Sequence, residues 1–250
     1  MNTYSSLQKL SIIVFSAVVL MLAQADQTKA QQRRNTFGRS TAIVVDERLS
    51  VLRATPDLSG KLLRRIGRGK SVGVAGEKRG HNGVRFYRVN VTRRTSGWIQ
   101  REALIYPRMA GEDKRLLQLI ESSEDFDLIA RARIFLGAFP GSRFRARVLK
   151  LLGEAAELAA TKLSRDATRR LNAEKIKATA APSFSFFLNY SGLDRYNRQG
   201  IRFEFDSAAM KFRYDGAVWR EILRRHPRSE EADEAQKRIE VLSKSLTREP

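Results

Sequence analysis

Between Thr41 and Pro107 the apolar residues fall in short runs separated by turn residues. The runs are Ala42-Ile43-Val44-Val45, Leu49–Arg53, Lys61–Ile66, Ser71–Ala75, Val84–Val89 and Gly97-Trp98-Ile99. Short strands recurring about every ten residues predict a small all-β barrel or sandwich over residues 41–107. Tyr106–Gly111 then reads as a hinge, with Pro107 ending the last strand. Past it the apolar period becomes 3.6. Leu116, Leu119 and Ile120, then Phe126, Ile129, Ala132 and Phe135, predict two short helices broken near Ser122-Ser123. From Arg143 the stripe is Phe144, Val148, Leu151, Ala155, Leu158 and Leu163, and a last helix shows Ala232, Ala235, Ile239, Leu242 and Leu246 on one face.

Ten of the twenty-one aromatic residues lie in 184–219. Within that stretch Ile201–Asp206 and Met210–Asp215 alternate apolar and charged residues around Ser207-Ala208-Ala209. This pattern predicts a β-hairpin with one aromatic and one charged face, inside an aromatic insertion over 184–215. A helix running on from Ser207 is the alternative. The aromatic face serves either burial against the flanking helices or ligand contact. The fold class expected is thus α+β multidomain, a small β barrel followed by a mainly helical domain over 112–250 with a hairpin insertion.

At the N-terminus Lys9 precedes an apolar run from Leu10 to Leu22, followed by Ala23-Gln24-Ala25. Basic, apolar, then small-x-small is the layout of a secretory signal peptide over residues 1–25. A bilayer span needs about 20 apolar residues, and this run is shorter. An uncleaved anchor is the competing reading. Cleavage after Ala25 removes Lys9 alone among the charged residues and leaves a net charge of +19 from the +20 of the whole chain. Residues 26–40 are polar, lack periodicity, and form a flexible lead-in. The expected location is therefore periplasmic or extracellular, with no integral span once the signal is removed. With no cysteine in the chain, a lipid-modified cysteine, a disulfide and a cysteine peptidase are all excluded.

The charge is uneven. Residues 39–108 carry sixteen Lys or Arg against five Asp or Glu, whereas 109–250 carry twenty-seven against twenty-one. Arg64, Arg65, Arg68 and Lys70 form one cluster, and Arg93, Arg94 and Arg101 another. A basic surface of this kind steers polyanions, or it simply solubilises the chain. For an exported protein the polyanion is an envelope polymer or lipid headgroup rather than nucleic acid. Chemistry for catalysis is scarce. The only histidines are His81 in a Gly-His-Asn-Gly turn and His226 before a proline. No spacing resembles a zinc site or a phosphate loop. The acidic clusters Glu121–Asp127 and Glu230–Glu234 suit helix ends. No catalytic residue, metal ligand or cofactor is expected.

Three phrases carry a family resemblance: Leu49–Arg53 followed by Pro56 and Gly60; Gly69-Lys70-Ser71-Val72; and Gly97-Trp98-Ile99 with Leu104 behind it. Together they resemble the bacterial SH3 (SH3b) domain, which implies binding of peptide or cell-wall polymer rather than catalysis. On that resemblance Trp98 is the final-strand aromatic, either packed in the core or facing the ligand, and Phe86-Tyr87 the aromatic pair of the strand before it. Alternation puts Phe86 and Arg88 on one face and Tyr87 and Val89 on the core face. Phe86 is therefore expected beside the arginines, where Arg53, Arg85 and Arg88 can pair with carboxylates.

The helical half contains two similar turns, Phe139-Pro140-Gly141-Ser142 and His226-Pro227-Arg228-Ser229, each with a serine placed to cap the next helix. These turns, with Ala232 and Ala235 following the second, resemble the helix pairs of tetratricopeptide-like envelope assembly proteins. The combined expectation is an exported, non-enzymatic binding protein. Its basic module would take an anionic cell-wall polymer or peptide through Arg53, Arg64, Arg65, Arg68, Arg85, Phe86, Arg88 and Trp98, and its helical domain would take a protein partner. A scaffold that grips envelope proteins only, and a cell-wall hydrolase with an unrecognised acidic pair, are the alternatives.

Overall fold

The computed structural model describes residues 41–171 and 173–246, and the expected leader and lead-in lie outside them. The chain is mixed α and β and divides between Arg108 and Met109 into two compact units.

The first unit is a seven-stranded antiparallel sheet. Its strands are β1 (Thr41–Val44), β2 (Val51–Arg53), β3 (Leu62–Arg65), β4 (Ser71–Arg79), β5 (Arg85–Asn90), β6 (Ser96–Gln100) and β7 (Leu104–Ile105), in the order β3-β2-β6-β5-β4-β1-β7. One buried cluster takes Ala42 and Val44 from β1, Leu52 from β2, Val72 from β4, Val89 from β5, Ile99 from β6 and Leu104 from β7. Strands from across the whole sheet share that cluster, so the sheet curls around it. The pairing nevertheless does not close into the expected barrel. Its ends are β3 and β7; β7 is two residues long, and Pro107, with no N–H to donate, stands two residues beyond it. A register shift between Val74 and Gly76 carries β4 on to Arg79, past the expected end at Ala75.

The second unit is built on a long helix. Helices α1 (Glu112–Glu121) and α2 (Asp125–Ala138) lead into α3 (Arg145–Arg170), and short helices α4 (Ala173–Thr179), α5 (Ser183–Leu188) and α6 (Asp194–Asn197) follow. Strands β8 (Phe203–Asp206) and β9 (Lys211–Tyr214) form the hairpin, before α7 (Ala217–Arg225) and α8 (Ala232–Leu246). Helix α3 packs against α2, α7 and β9. Its buried face is Val148, Leu149, Leu152, Ala155, Ala156, Ala159, Ala160, Leu163 and Ala167, rich in alanines that let neighbours approach closely. Leu158, expected on that face, is 68% exposed, because the buried stripe runs one position later around the helix.

The two similar turns share one backbone pattern. Phe139 N–H donates to Phe135 O (2.9 Å) and Ser142 N–H to Phe139 O (3.2 Å); His226 N–H donates to Ile222 O (2.7 Å) and Ser229 N–H to His226 O (3.0 Å). They join α2 to α3 and α7 to α8. The serines do not cap as expected. Ser142 lies outside the helix, accepting from Phe144 N–H (3.2 Å) and donating to Asp113 Oδ2 (2.7 Å). Ser229 Oγ makes no hydrogen bond among the described residues.

The aromatic insertion is a packing layer. Phe187 sits against Phe205 (5.0 Å) and Phe212 (6.0 Å), and Tyr196 against Phe126 (5.4 Å) and Phe203 (5.4 Å). Tyr214 Oη accepts the Val218 N–H (2.8 Å), one of the donors left open in the first turn of α7. Burial pushes the Tyr214 phenol above its ordinary value of 10.0. A raised value in the folded state means that stability from the neutral phenol is complete below pH 10 and declines as pH rises beyond it. Tyr214→Phe is expected to cost about 1 kcal/mol at neutral pH, for the lost acceptor. It should also flatten the fall of melting temperature above pH 10, which a pH series of thermal melts reads directly.

Candidate functional site

The turn between β3 and β4 is tied down from both sides. Ile66 N–H donates to Ser50 O (3.0 Å), Val44 N–H to Lys70 O (3.0 Å), and Gly69 N–H to Val44 O (2.8 Å). Glu47 Oε1 accepts the Arg68 N–H (2.9 Å). With the backbone pinned, Arg64, Arg65, Arg68 and Lys70 line a groove of about 570 Å³ whose opposite wall is Val91 and Thr92. The two residues after Thr92 in the same turn are the exposed Arg93 and Arg94. The groove thus joins the basic turn between β3 and β4 to a turn that continues into Arg93 and Arg94. None of its lining residues is acidic, and Arg64, Arg65 and Lys70 have no carboxylate partner among the described residues. Four cations held around a concave surface favour an anion that meets several of them at once.

A second arrangement lies on the outer face of the sheet. Trp98 of β6 stands opposite Arg53 of β2 on one side and Arg88 of β5 on the other. Cross-strand partners point the same way, so the ring lies between two guanidinium-bearing side chains. Trp98 is half-buried and outside the core cluster. Arg53 Nη1 donates to Gly60 O (2.8 Å), which fixes it against the loop after β2. In that loop Asp57 accepts from Ser59 N–H (2.8 Å) and Oγ–H (2.7 Å), and these bonds hold its carboxyl below the usual value.

Gly97 makes this row possible. A Cβ there would lie 2.7 Å from Arg53 O and 2.8 Å from Leu52 Cγ, and the carbonyl belongs to a paired strand that cannot step aside. Gly97→Ala is expected to destabilise the β unit by about 1–3 kcal/mol through overpacking, read in urea unfolding followed by tryptophan fluorescence, to which Trp98 and Trp219 both contribute.

Two expected site residues stand elsewhere. Phe86 is fully buried rather than beside the arginines. It does point away from the core, but the Gly80 backbone covers its ring: a Cβ on Gly80 would come within 3.2 Å of Phe86 Cε2 and 2.8 Å of Pro56 O. Tyr87 and Val89 do face the core, with Tyr87 edge-on to Tyr106 (5.3 Å). Arg85 lies opposite Arg79 and reaches Glu77 at 4.0 Å. The structure therefore sorts the expected residues into the groove of Arg64, Arg65 and Arg68 and the outer row of Arg53, Arg88 and Trp98.

Sequence reasoning missed the exposed apolar edge beside the groove. Leu62 and Leu63 of β3 are 48% and 46% exposed, on a strand with no partner on its outer side among the described residues. The signal was present in the run Leu62-Leu63-Arg64-Arg65, which does not alternate as a half-buried strand should. Among the described residues no group of three or more His, Asp or Glu is placed to hold a metal, and no helix is long and apolar enough to cross a membrane. No family model matches the chain, and comparison with curated proteins and with solved structures finds no match.

Proposed function

We propose that the chain is an exported, non-enzymatic binding protein of the bacterial envelope. Its β unit, read as an SH3b-like module, holds an anionic cell-wall polymer or peptide. Its helical unit, read as tetratricopeptide-like, engages a protein partner. The observation that carries this reading is the groove of Arg64, Arg65, Arg68 and Lys70 with no carboxylate in its lining. Arginine forks suit the carboxylates of peptide stems, and several weak contacts along a repeating polymer add up to retention.

One observation favours the scaffold reading as the second choice. The free edge of β3 with Leu62 and Leu63 exposed is a surface on which an extended peptide can add as a further strand. In that case the arginines would select acidic peptides, and the wall would not be bound. The full chain mixed with purified peptidoglycan separates the readings. The proposal expects cosedimentation with no release of soluble fragments. A chain left in the supernatant overturns wall binding, and fragment release would establish the hydrolase instead.

A further inference from the structure

The helical unit carries a second cationic recess that the reading above does not use. It has a volume of about 810 Å³ and lies between the C-terminal half of α3 and the start of β9. Lys162, Arg165 and Arg169 follow one another at steps of three and four along α3, so they share one stripe of the helix. Lys211 enters from the hairpin.

The register of hairpin against helix is fixed by a buried contact. Ser164 Oγ accepts the Phe212 N–H (2.8 Å) and donates to Ala160 O (2.8 Å). Phe212 is buried in the aromatic layer with Phe187 and Phe205. The backbone beside Lys211 is thereby anchored to α3 next to Arg165, and the two cations cannot drift apart as surface side chains on separate loops would. Carboxylates neutralise only part of the recess: Lys162 pairs with Asp125 and Arg169 with Asp166. Arg165 and Lys211 have no partner among the described residues. Holding like charges together costs energy that a multiply charged anion returns.

We infer that the recess lined by Lys162, Arg165, Arg169 and Lys211 is a binding site for a phosphate-bearing anion. The guanidinium of Arg165 supplies a two-pronged contact, and the ammonium of Lys211 closes on the same group from the hairpin. Ala209 and Met210 give the recess an apolar margin, and its volume lies in the range of small-ligand sites. The phosphate belongs either to a free polyphosphate or to a lipid headgroup.

The test uses the full chain with Arg64, Arg65 and Arg68 all replaced by Glu, so that the β-unit groove does not compete. Calorimetric titration with inorganic pyrophosphate at low salt is expected to show one site. Adding Arg165→Glu and Lys211→Glu should weaken it tenfold or more without shifting the melting temperature. Adding Arg165→Lys and Lys211→Arg instead should retain it. Flotation with phosphatidylglycerol vesicles, against phosphatidylcholine vesicles, tells the sources apart: selective flotation assigns a headgroup, and pyrophosphate binding alone assigns a free phosphate. Absence of binding to both probes, or affinity unchanged by the two charge reversals, overturns the inference. Neither result bears on wall retention by the unaltered β unit.

Discussion

Replacing Trp219 by Ala is expected to remove about 3–5 kcal/mol of stability from the helical unit, the usual cost of truncating a buried aromatic. Trp219 is fully buried on α7 and lies directly over Gly153 of α3, where a Cβ would come within 2.6 Å of the indole ring. The ring also does polar work. Its Nε1–H donates to Glu157 Oε1 (2.8 Å), Glu157 Oε2 accepts from Arg238 Nη1 (3.0 Å), and Arg238 Nε donates to Glu234 Oε1 (2.7 Å). One indole thus joins α3, α7 and α8. Arg238 holds the Glu234 carboxyl below its usual range, as such a chain requires. Gly153→Ala tests the same contact from the other side. Alanine adds about 1 kcal/mol of helix propensity, but a methyl driven into the indole costs about 1–3 kcal/mol, so net destabilisation is expected. Urea unfolding followed by far-ultraviolet circular dichroism measures both variants. Equal stability of wild type and Trp219→Ala would contradict the packing described.

Reversing Arg64, Arg65 and Arg68 to Glu changes the groove by six units of charge and is expected to weaken wall binding at least a hundredfold. The size follows from about 1 kcal/mol for each basic residue near an anionic surface, so three lost contacts amount to about 3 kcal/mol before repulsion is counted. The fold should tolerate the change. Arg64 and Arg65 are exposed on β3, and Glu47 grips the turn through the Arg68 backbone N–H, while the half-buried Arg68 side chain is the position at which circular dichroism checks the fold. A native circular dichroism spectrum with undiminished binding would remove the groove from the account.

What could be read from the chain depended on how local the information was. Most strands of the β unit and the longer helices α1, α2, α3 and α8 announce themselves by period, because burial of one face repeats every two or about 3.6 residues, whereas the short helices α4, α5 and α6 were not read in the chain and β3 does not alternate. The hairpin was legible for the same reason, from Phe203, Phe205, Phe212 and Tyr214 alternating with charged neighbours. The two helix turns were legible from their proline and serine. The groove was legible only as a run of arginines; its other wall comes from Val91 and Thr92, which strand order brings near. Phe86 shows where alternation stops informing. Its face was read correctly, but the close approach of the Gly80 backbone to its ring is invisible in the pattern of its own strand. Closure of the sheet is likewise invisible in the period, since it depends on how strands far apart in the chain pair. The cationic recess on α3 depended on the placement of Lys211 by the Ser164–Phe212 contact, 48 residues apart.

Salt-dependent retention of the full chain on purified peptidoglycan tests the central claim most directly. Wild type and the Arg64, Arg65 and Arg68 to Glu variant are compared at about 50 mM and about 300 mM salt, conditions that move the screening length across the span of the groove. The account predicts strong retention of wild type at low salt, clear loss at the higher salt, and little retention of the variant at either. Retention of both proteins alike, or of neither, would contradict it.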